Sequence, residues 1–310
     1  MMKRALLLTA LPFMMSISAC AADDTSAPTV DTAASVAAAV TEKSPYPKNA
    51  WRDVNPENLL VIDTEYGQIG VELYPEIAPR HVTQIKTLAR QSFYDMITFH
   101  RVIDGFMNQT GDPKGDGTGD SDLPNIEAEF TFRRGTDMPV TLIASRAVNL
   151  RNPSAGEIGV GFYKGLPVAS QPSSQAMLTK DGKVPAHGLH CSGVTSMARS
   201  SDPNSGNSQF FLMRGTAGHL DTKYSIWGNT VYGHEFLTKF KIGTKGQDEN
   251  FIPDVMKKVR IAADMDESVR PKVQVLKTDG AAFNTFLKSQ KADDGEYPDI
   301  CDMTLPSRKL

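Results

Sequence analysis

The sequence has no excess of charge of either sign. Its 33 lysines and arginines face 36 aspartates and glutamates, and the formal net charge is -3. Because the basic residues are scattered among acidic ones, there is no basic stripe to follow a phosphate backbone, and we expect no nucleic-acid partner. With 310 residues and 40% hydrophobic content, the chain can bury one sizeable core or two small ones, as a globular protein does.

Cysteine is also scarce, with three in the chain. Cys191 and Cys301 could form a disulfide in an oxidising compartment or remain separate thiols, because the sequence does not show whether their Cα atoms come within bonding range. The run from His187 to Cys191, HGLHC, contains three potential metal ligands. Structural zinc needs a fourth, and no second cluster has matching spacing. We expect neither a metal nor a cofactor.

The apolar run near the N-terminus is too short for a permanent membrane-spanning helix, which needs about 20 apolar residues. It extends from Ala5 to Ile17 and follows the basic residues Lys3 and Arg4. A charged start followed by a short apolar stretch is typical of a secretory signal peptide, and we assign residues 1–19 to it.

The end of this run, Ile17-Ser18-Ala19-Cys20, resembles a bacterial lipobox. In such signals the chain is cleaved before the cysteine, whose thiol receives a diacylglycerol, so Cys20 would be the lipidated first residue of the mature protein. Ala21 follows in place of an aspartate and gives no signal for inner-membrane retention. We expect an exported, periplasm-facing lipoprotein, with the outer membrane favoured. Ordinary signal cleavage, which would give a soluble periplasmic protein, is the alternative.

Residues 20–50 are mostly Ala, Thr, Ser, Asp and Pro, too few of them large and apolar to offset the entropy of ordering, and we interpret them as a lipidated cysteine and flexible linker. Apolar runs and alternation beyond this point predict a hairpin over 59–73 and a helix from about Ala78. The remaining signals predict strands at 98–103, 194–197, 209–213, 224–231 and 255–262 and a short helix at 234–240. This pattern is typical of a closed antiparallel barrel with two helices.

Two stretches fit this pattern less easily. Residues 136–189 are rich in Gly, Pro and Ser, and a tail follows residue 264. The tail has the pattern of a strand at 273–277 and a helix at about 280–288. Neither stretch has the character of a separate domain, so we divide the chain into a main domain over 51–264, with an insertion at about 136–189, and a C-terminal extension over 265–310.

Arg101 stands in an apolar strand, where alternation places it on the same face as Phe99 and Ile103. A guanidinium against an apolar surface loses hydration, and it persists only where partners satisfy its donors or a site needs its charge. Gln109 could supply an acceptor that holds the guanidinium in position.

An arginine beside an apolar pocket is what proline isomerisation needs. The barrier to rotating an X-Pro bond, about 20 kcal/mol, comes from resonance between the carbonyl and the imide nitrogen. An enzyme must hold the ring, here against Phe106 and Met107, and present a donor to the nitrogen when resonance is lost. Such a donor acts by differential binding of the twisted state and needs neither nucleophile nor cofactor.

The segment from Phe99 to Asp112, FHRVIDGFMNQTGD, resembles the central motif of cyclophilin-type peptidyl-prolyl cis/trans isomerases, F-H-R-x-I-x-G-F-M-x-Q-x-G-D. A second block resembles the family's S-M-A and S-Q-F-F, at 196–198 and 208–211. The match covers roughly 59–262. The resemblance implies a mainly β fold, a cyclophilin-like closed antiparallel barrel of eight strands capped by two helices, here with a long insertion and a C-terminal extension.

The resemblance also implies roles for individual residues. It makes Arg101 the catalytic arginine, oriented by Gln109. Substrate-binding roles fall on His100, Phe106, Met107, Ala198, Gln209, Phe211, His219, Leu220 and Tyr224. Three positions depart from the pattern. His219 falls where many members have tryptophan, which should weaken cyclosporin binding. Arg199 replaces the asparagine common in eukaryotic members, and Asp120 stands where a second glycine is usual.

These observations predict a monomeric enzyme that isomerises X-Pro bonds of exported proteins and assists their folding. The alternative is a non-catalytic chaperone or protein-binding module built on the same fold. Arg101 with Gln109 favours the enzyme, because a pure binder does not need a donor directed at the imide nitrogen.

Overall fold

The computed structural model describes residues 44–147, 156–293 and 295–310. The predicted signal peptide, the lipidation site Cys20 and most of the predicted linker lie outside these residues, so they remain predictions, as do the domain boundaries. Within the described ranges, no helix has the length and hydropathy needed to cross a membrane.

An antiparallel sheet of nine strands forms the centre of the molecule. Its strands in spatial order are β14 (Gly243–Thr244), β4 (Arg101–Ile103), β5 (Met107–Thr110), β12 (Phe210–Met213), β11 (Val194–Met197), β13 (Ile226–Tyr232), β3 (Gln68–Leu73), β2 (Leu59–Asp63) and β15 (Lys258–Ile261). The predicted hairpin is formed by β2 and β3, which pair from Leu59 opposite Glu72 to Asp63 opposite Gln68.

The closed eight-stranded barrel is not confirmed, because the strand order has two ends, β14 and β15. The short strand β14 pairs with β4, through Gly243 opposite Val102, and so occupies the edge of β4 that a closing strand would need. An isolated antiparallel bridge joins Thr98, shortly before β4, to Val255, shortly before β15. The predicted strands over 98–103 and 255–262 are accordingly shorter than expected.

The described ranges contain three α-helices: α1 (Pro79–Arg90), α2 (His234–Leu237) and α3 (Ala281–Gln290). Proline occupies the first position of α1, where its fixed φ angle suits the helix and its missing N–H leaves no hydrogen bond unmade. Its buried face includes Val82, Ile85 and Leu88, as the sequence predicts. Helix α2 is shorter than predicted and ends at Leu237.

Both faces of the nine-stranded sheet carry buried side chains. Alternate residues of β2 enter two different cores: Leu60 and Ile62 join α1 in the helix-side core, while Leu59 and Val61 join the insertion and the tail in the insertion-side core. Successive side chains of a strand point to opposite faces, so burial of both faces explains why residues 59–62 are all apolar.

The insertion and the short strand just before it form a second sheet, which the sequence did not predict. Its spatial order is β6 (Phe132–Arg134), β10 (Val184–Gly188), β9 (Leu166–Ser170), β8 (Glu157–Tyr163) and β7 (Thr141–Ala147). Glycine is needed where β7 and β8 approach closely, since a Cβ at Gly161 would lie 2.0 Å from the carbonyl oxygen of Thr141. The glycines that obscured the strand pattern are therefore part of the sheet.

The C-terminal extension pairs with the first strand of the described chain to form the third sheet, in the order β1 (Trp51–Asp53), β16 (Val273–Leu276) and β17 (Ser307–Lys309). The predicted strand and helix of the tail correspond to β16 and α3. Cys191 and Cys301 form a disulfide, with Cα atoms 4.8 Å apart, so the paired alternative is the one the structure shows. The bond links the tail to the segment just before β11.

Packing of β2 against the insertion-side core can be tested at Val61. We predict that Val61→Ala lowers the free energy of unfolding by about 2 kcal/mol, because it removes buried methyl groups and leaves a cavity. Val269→Ala is the control, at a side chain that is 65% exposed, and should stay within about 0.5 kcal/mol of the parent. Urea unfolding measures both, and equal stabilities would contradict this packing.

Candidate functional site

A row of four residues crosses the sheet at the site. Arg101 on β4 lies opposite Gln109 on β5, Gln109 lies opposite Phe211 on β12, and Phe211 lies opposite Ser196 on β11. Directly paired residues share one face of a sheet. The strand register therefore brings the two motif blocks of the sequence together.

Arg101 is half-buried and held by its neighbour in the row. Its Nη1 donates a hydrogen bond to Oε1 of Gln109, at 3.2 Å. Nε2 of Gln109 in turn donates to Oε1 of Gln209, at 3.1 Å. Each amide has one acceptor and one donating group, so a chain of this kind fixes the orientation of both.

The chain ends on the glycine-rich loop over 111–119. Nε2 of Gln209 donates to the carbonyl oxygens of Gly117 and Gly119, at 3.1 and 2.9 Å. Gln209 thus ties the loop to the row and is not among the residues that line the cleft. The structure gives this predicted substrate-binding residue a supporting position.

A cleft of about 400 Å³ opens above the row. Its lining residues are Arg101, Phe106, Met107, Gln109, Ala198, Arg199, Phe211, His219, Leu220 and Tyr224. The floor consists of the buried apolar side chains of Met107, Phe211 and Leu220. His219 stacks on Phe106 with ring centroids 5.9 Å apart and forms part of the cleft wall. A cavity of this size and lining suits a small apolar ring with a flanking polar group.

His100, like Gln209, is a predicted site residue that does not line the cleft. Its side chain is buried, and neither ring nitrogen has a hydrogen-bond partner among the described residues. Burial lowers the pKa of His100 below its usual value. A Cβ at Gly117 would lie 4.0 Å from the imidazole, so His100 sits against the glycine-rich loop.

The expectation that Phe99 shares a face with Arg101 is wrong. Phe99 packs on Phe240 in the helix-side core, with ring centroids 4.1 Å apart. Ile103, unlike Phe99, packs against the insertion-side core, which contains the cleft residues Met107 and Phe211. The reason is that regular strand geometry begins only at Arg101, so alternation does not extend back to Phe99.

A network of hydrogen bonds that the sequence does not indicate lies behind the cleft floor. The backbone N–H of His190 donates to Oδ1 of Asp221 at 2.9 Å, and its Nδ1 lies 3.0 Å from the same oxygen. Nε2 of His190 lies 3.0 Å from Oγ of Ser196. Arg146 of the insertion donates to Oδ2 of Asp221 at 3.0 Å. The network joins the insertion to the segment that carries Leu220.

The network also supports the floor from below. The imidazole of His190 stacks on the ring of Phe211, with centroids 6.2 Å apart, and contacts the ring of Tyr224 edge-on, with centroids 6.4 Å apart. Sequence analysis considered His190 only as a possible metal ligand, and within the described residues no group of three or more His, Cys, Asp or Glu is placed to hold a metal ion. Only the folded chain reveals that Asp221 is its partner.

Comparison with known proteins places these features in a family. The model of the cyclophilin type peptidyl-prolyl cis-trans isomerase/CLD family matches residues 59–261. A probable peptidyl-prolyl cis-trans isomerase of Brucella suis biovar 1 is 33% identical over 213 residues, which cover 68% of this chain and 85% of that protein. The peptidyl-prolyl cis-trans isomerase CYP71 of Arabidopsis thaliana is 45% identical over 94 residues, or 30% of this chain and 15% of that protein.

Among solved structures, the cyclophilin AquaCyp293 from Hirschia baltica is similar, with a TM-score of 0.74 and 35% identity. The likeness covers 86% of this chain and 98% of that one. It therefore covers more of the chain than the family model does, and extends into the segments on either side of residues 59–261.

The buried carboxylate of Asp221 predicts a component of acid sensitivity. Burial alone would raise the pKa of Asp221, but the hydrogen bonds from His190 and Arg146 outweigh it and hold the pKa below its usual range. A lowered pKa in the folded state contributes stability above the unfolded value, near 3.9, and this contribution disappears as the pH falls through the folded value.

We predict that Asp221→Asn lowers the free energy of unfolding at pH 7 by about 2 kcal/mol, because it weakens charge-assisted hydrogen bonds. The variant should lose less stability than the parent below about pH 4. Urea unfolding at pH 7, 5 and 3 measures both, with the exposed Asp279→Asn as control. Identical pH profiles for Asp221→Asn and the parent would contradict the role of this carboxylate.

Proposed function

The chain belongs to the cyclophilin-type peptidyl-prolyl cis-trans isomerases and is an enzyme of that class, and from this premise we propose that Arg101 carries the reaction. The observation that supports the proposal is the position of its guanidinium. It projects into an apolar cleft, and its hydrogen bond goes to the neutral amide of Gln109. An arginine held without a carboxylate partner keeps donors available for a substrate.

The chemistry needs no bond to break. Rotation of the X-Pro bond removes its resonance and leaves a lone pair on the imide nitrogen. Met107, Phe211 and Leu220 would hold the pyrrolidine ring, while Arg101 donates to the nitrogen as that lone pair appears. Because this hydrogen bond exists only in the twisted state, it lowers the barrier without tightening the ground-state complex.

A non-catalytic binding module is the alternative, and it would need the insertion to obstruct the cleft. None of the cleft-lining residues comes from the described part of the insertion, 136–147 and 156–189. The insertion instead approaches from behind, through Arg146. This arrangement favours the enzyme.

The test is a protease-free isomerisation assay on a short X-Pro peptide, with the chain that begins at Ala21. Arg101→Ala should lower kcat/KM by about 100-fold or more, as loss of a transition-state donor does. Arg133→Ala is the matched control, since Arg133 pairs with Asp181 on the insertion and lies outside the cleft. Retained activity in a folded Arg101→Ala variant would contradict this mechanism.

We further propose that the substrates are exported polypeptides and that the enzyme is held at a membrane through a lipid on Cys20. The support is the order of features at the N-terminus, a basic start, a short apolar run and the lipobox-like tetrapeptide ending in Cys20. A periplasm-facing location would bring the cleft to chains that are folding after export.

Cys20→Ser should abolish lipid labelling and release the protein from the membrane fraction. Ser26→Ala, in the same segment, is the control and should behave as the parent does. Fractionation with radiolabelled fatty acid distinguishes the alternatives. A parent protein that is exported but unlabelled would support ordinary signal cleavage, and unchanged membrane association of Cys20→Ser would refute anchoring through this residue.

A further inference from the structure

Arg199 is a second arginine in the cleft, and it is fixed in place. Its Nε donates to the carbonyl oxygen of Lys223 at 2.9 Å, and its Nη1 donates to that of Ser200 at 2.8 Å. The guanidinium carbon lies 4.5 Å from the ring centroid of Tyr224 and 5.7 Å from that of Phe130. Backbone bonds and two aromatic rings therefore hold a planar cation at the cleft wall.

The positive charge of the cleft has no counterpart among its lining residues. They include two arginines, Arg101 and Arg199, and neither aspartate nor glutamate. Among the described residues, no carboxylate accepts a hydrogen bond from either guanidinium, and Nη2 of Arg199 has no acceptor.

The acidic group nearest in sequence to the cleft wall is already engaged. Asp221 follows Leu220, but its oxygens accept hydrogen bonds from His190 and Arg146 behind the floor. Its charge is thus directed away from the cleft and matched there. Two arginines and no carboxylate therefore line a half-enclosed space with an apolar floor, where a charge interaction is stronger than in open water.

We propose that Arg199 makes this isomerase select X-Pro segments that carry an aspartate or glutamate next to the proline. The planar fork of the guanidinium suits a carboxylate, and its Nη2, which has no acceptor in the described part of the chain, can donate to one. A lysine or arginine at the same substrate position meets like charge and is rejected. The inference rests on the proposed function, because it concerns the same cleft and presumes that Arg101 acts on the imide bond.

The experiment measures kcat/KM by exchange spectroscopy on matched peptides, with glutamate, glutamine or lysine placed first before and then after the proline. In at least one of the two series, the parent enzyme should favour glutamate over glutamine by about five- to tenfold, and lysine should be the poorest substrate. Raising the ionic strength to about 1 M, where the Debye length is about 3 Å, should remove most of the preference.

The variants are judged by the ratio of glutamate to glutamine peptide within one protein, so that any general loss of activity cancels. Arg199→Gln should bring this ratio to about one, because it removes the charge. Arg199→Lys keeps the charge and should retain part of the preference. If Arg199→Gln does not fold, the salt dependence of the parent and the Arg199→Lys ratio still decide the question. Arg133→Gln is the control and should leave the ratio unchanged.

Two failures can be told apart. An active parent enzyme that treats glutamate and glutamine peptides alike in both series overturns the selectivity and leaves the isomerase intact, and a ratio that persists in Arg199→Gln overturns the role of Arg199. A folded parent that isomerises none of the peptides overturns the proposed function itself.

Discussion

The site depends on one chain of hydrogen bonds, from Arg101 through Gln109 and Gln209 to the carbonyl oxygens of the glycine-rich loop. An arginine side chain is long and loses considerable entropy when it is fixed. The entropy of the Arg101 side chain is already reduced before substrate binds, because strand pairing places Gln109 opposite Arg101. A pre-oriented donor does not have to reorganise as the X-Pro bond twists, which is where electrostatic catalysis gains most.

The sheet face that carries this chain of hydrogen bonds also carries the insertion-side core, which links the cleft to the rest of the molecule. Met107, Phe211 and Leu220 of the cleft floor belong to the insertion-side core, together with the strands of the insertion and the tail. His190 and Asp221 lie between the insertion and the floor. The described extra segments therefore leave the cleft open and pack in one core with its floor.

Strong periodicity and the two motif blocks were sufficient to predict β2, β3, α1, the tail helix α3 and the residues around Arg101. The insertion sheet was missed because Gly161 and its neighbours are required by close strand contact, yet glycine also marks turns. Phe99 was misplaced because alternation was extended beyond the first residue of β4. The partnership of His190 with Asp221 joins residues 31 apart, and no local pattern indicates it.

The central claim is that an oriented guanidinium binds the twisted imide better than the planar one. Its most direct test is nuclear magnetic resonance of a proline peptide bound to the parent and to Gln109→Leu, which removes the acceptor and nearly keeps the side-chain volume. We expect peptide affinity to stay within about threefold, while the cis/trans exchange rate of the bound peptide falls by about tenfold or more. An unchanged exchange rate in Gln109→Leu would contradict the claim.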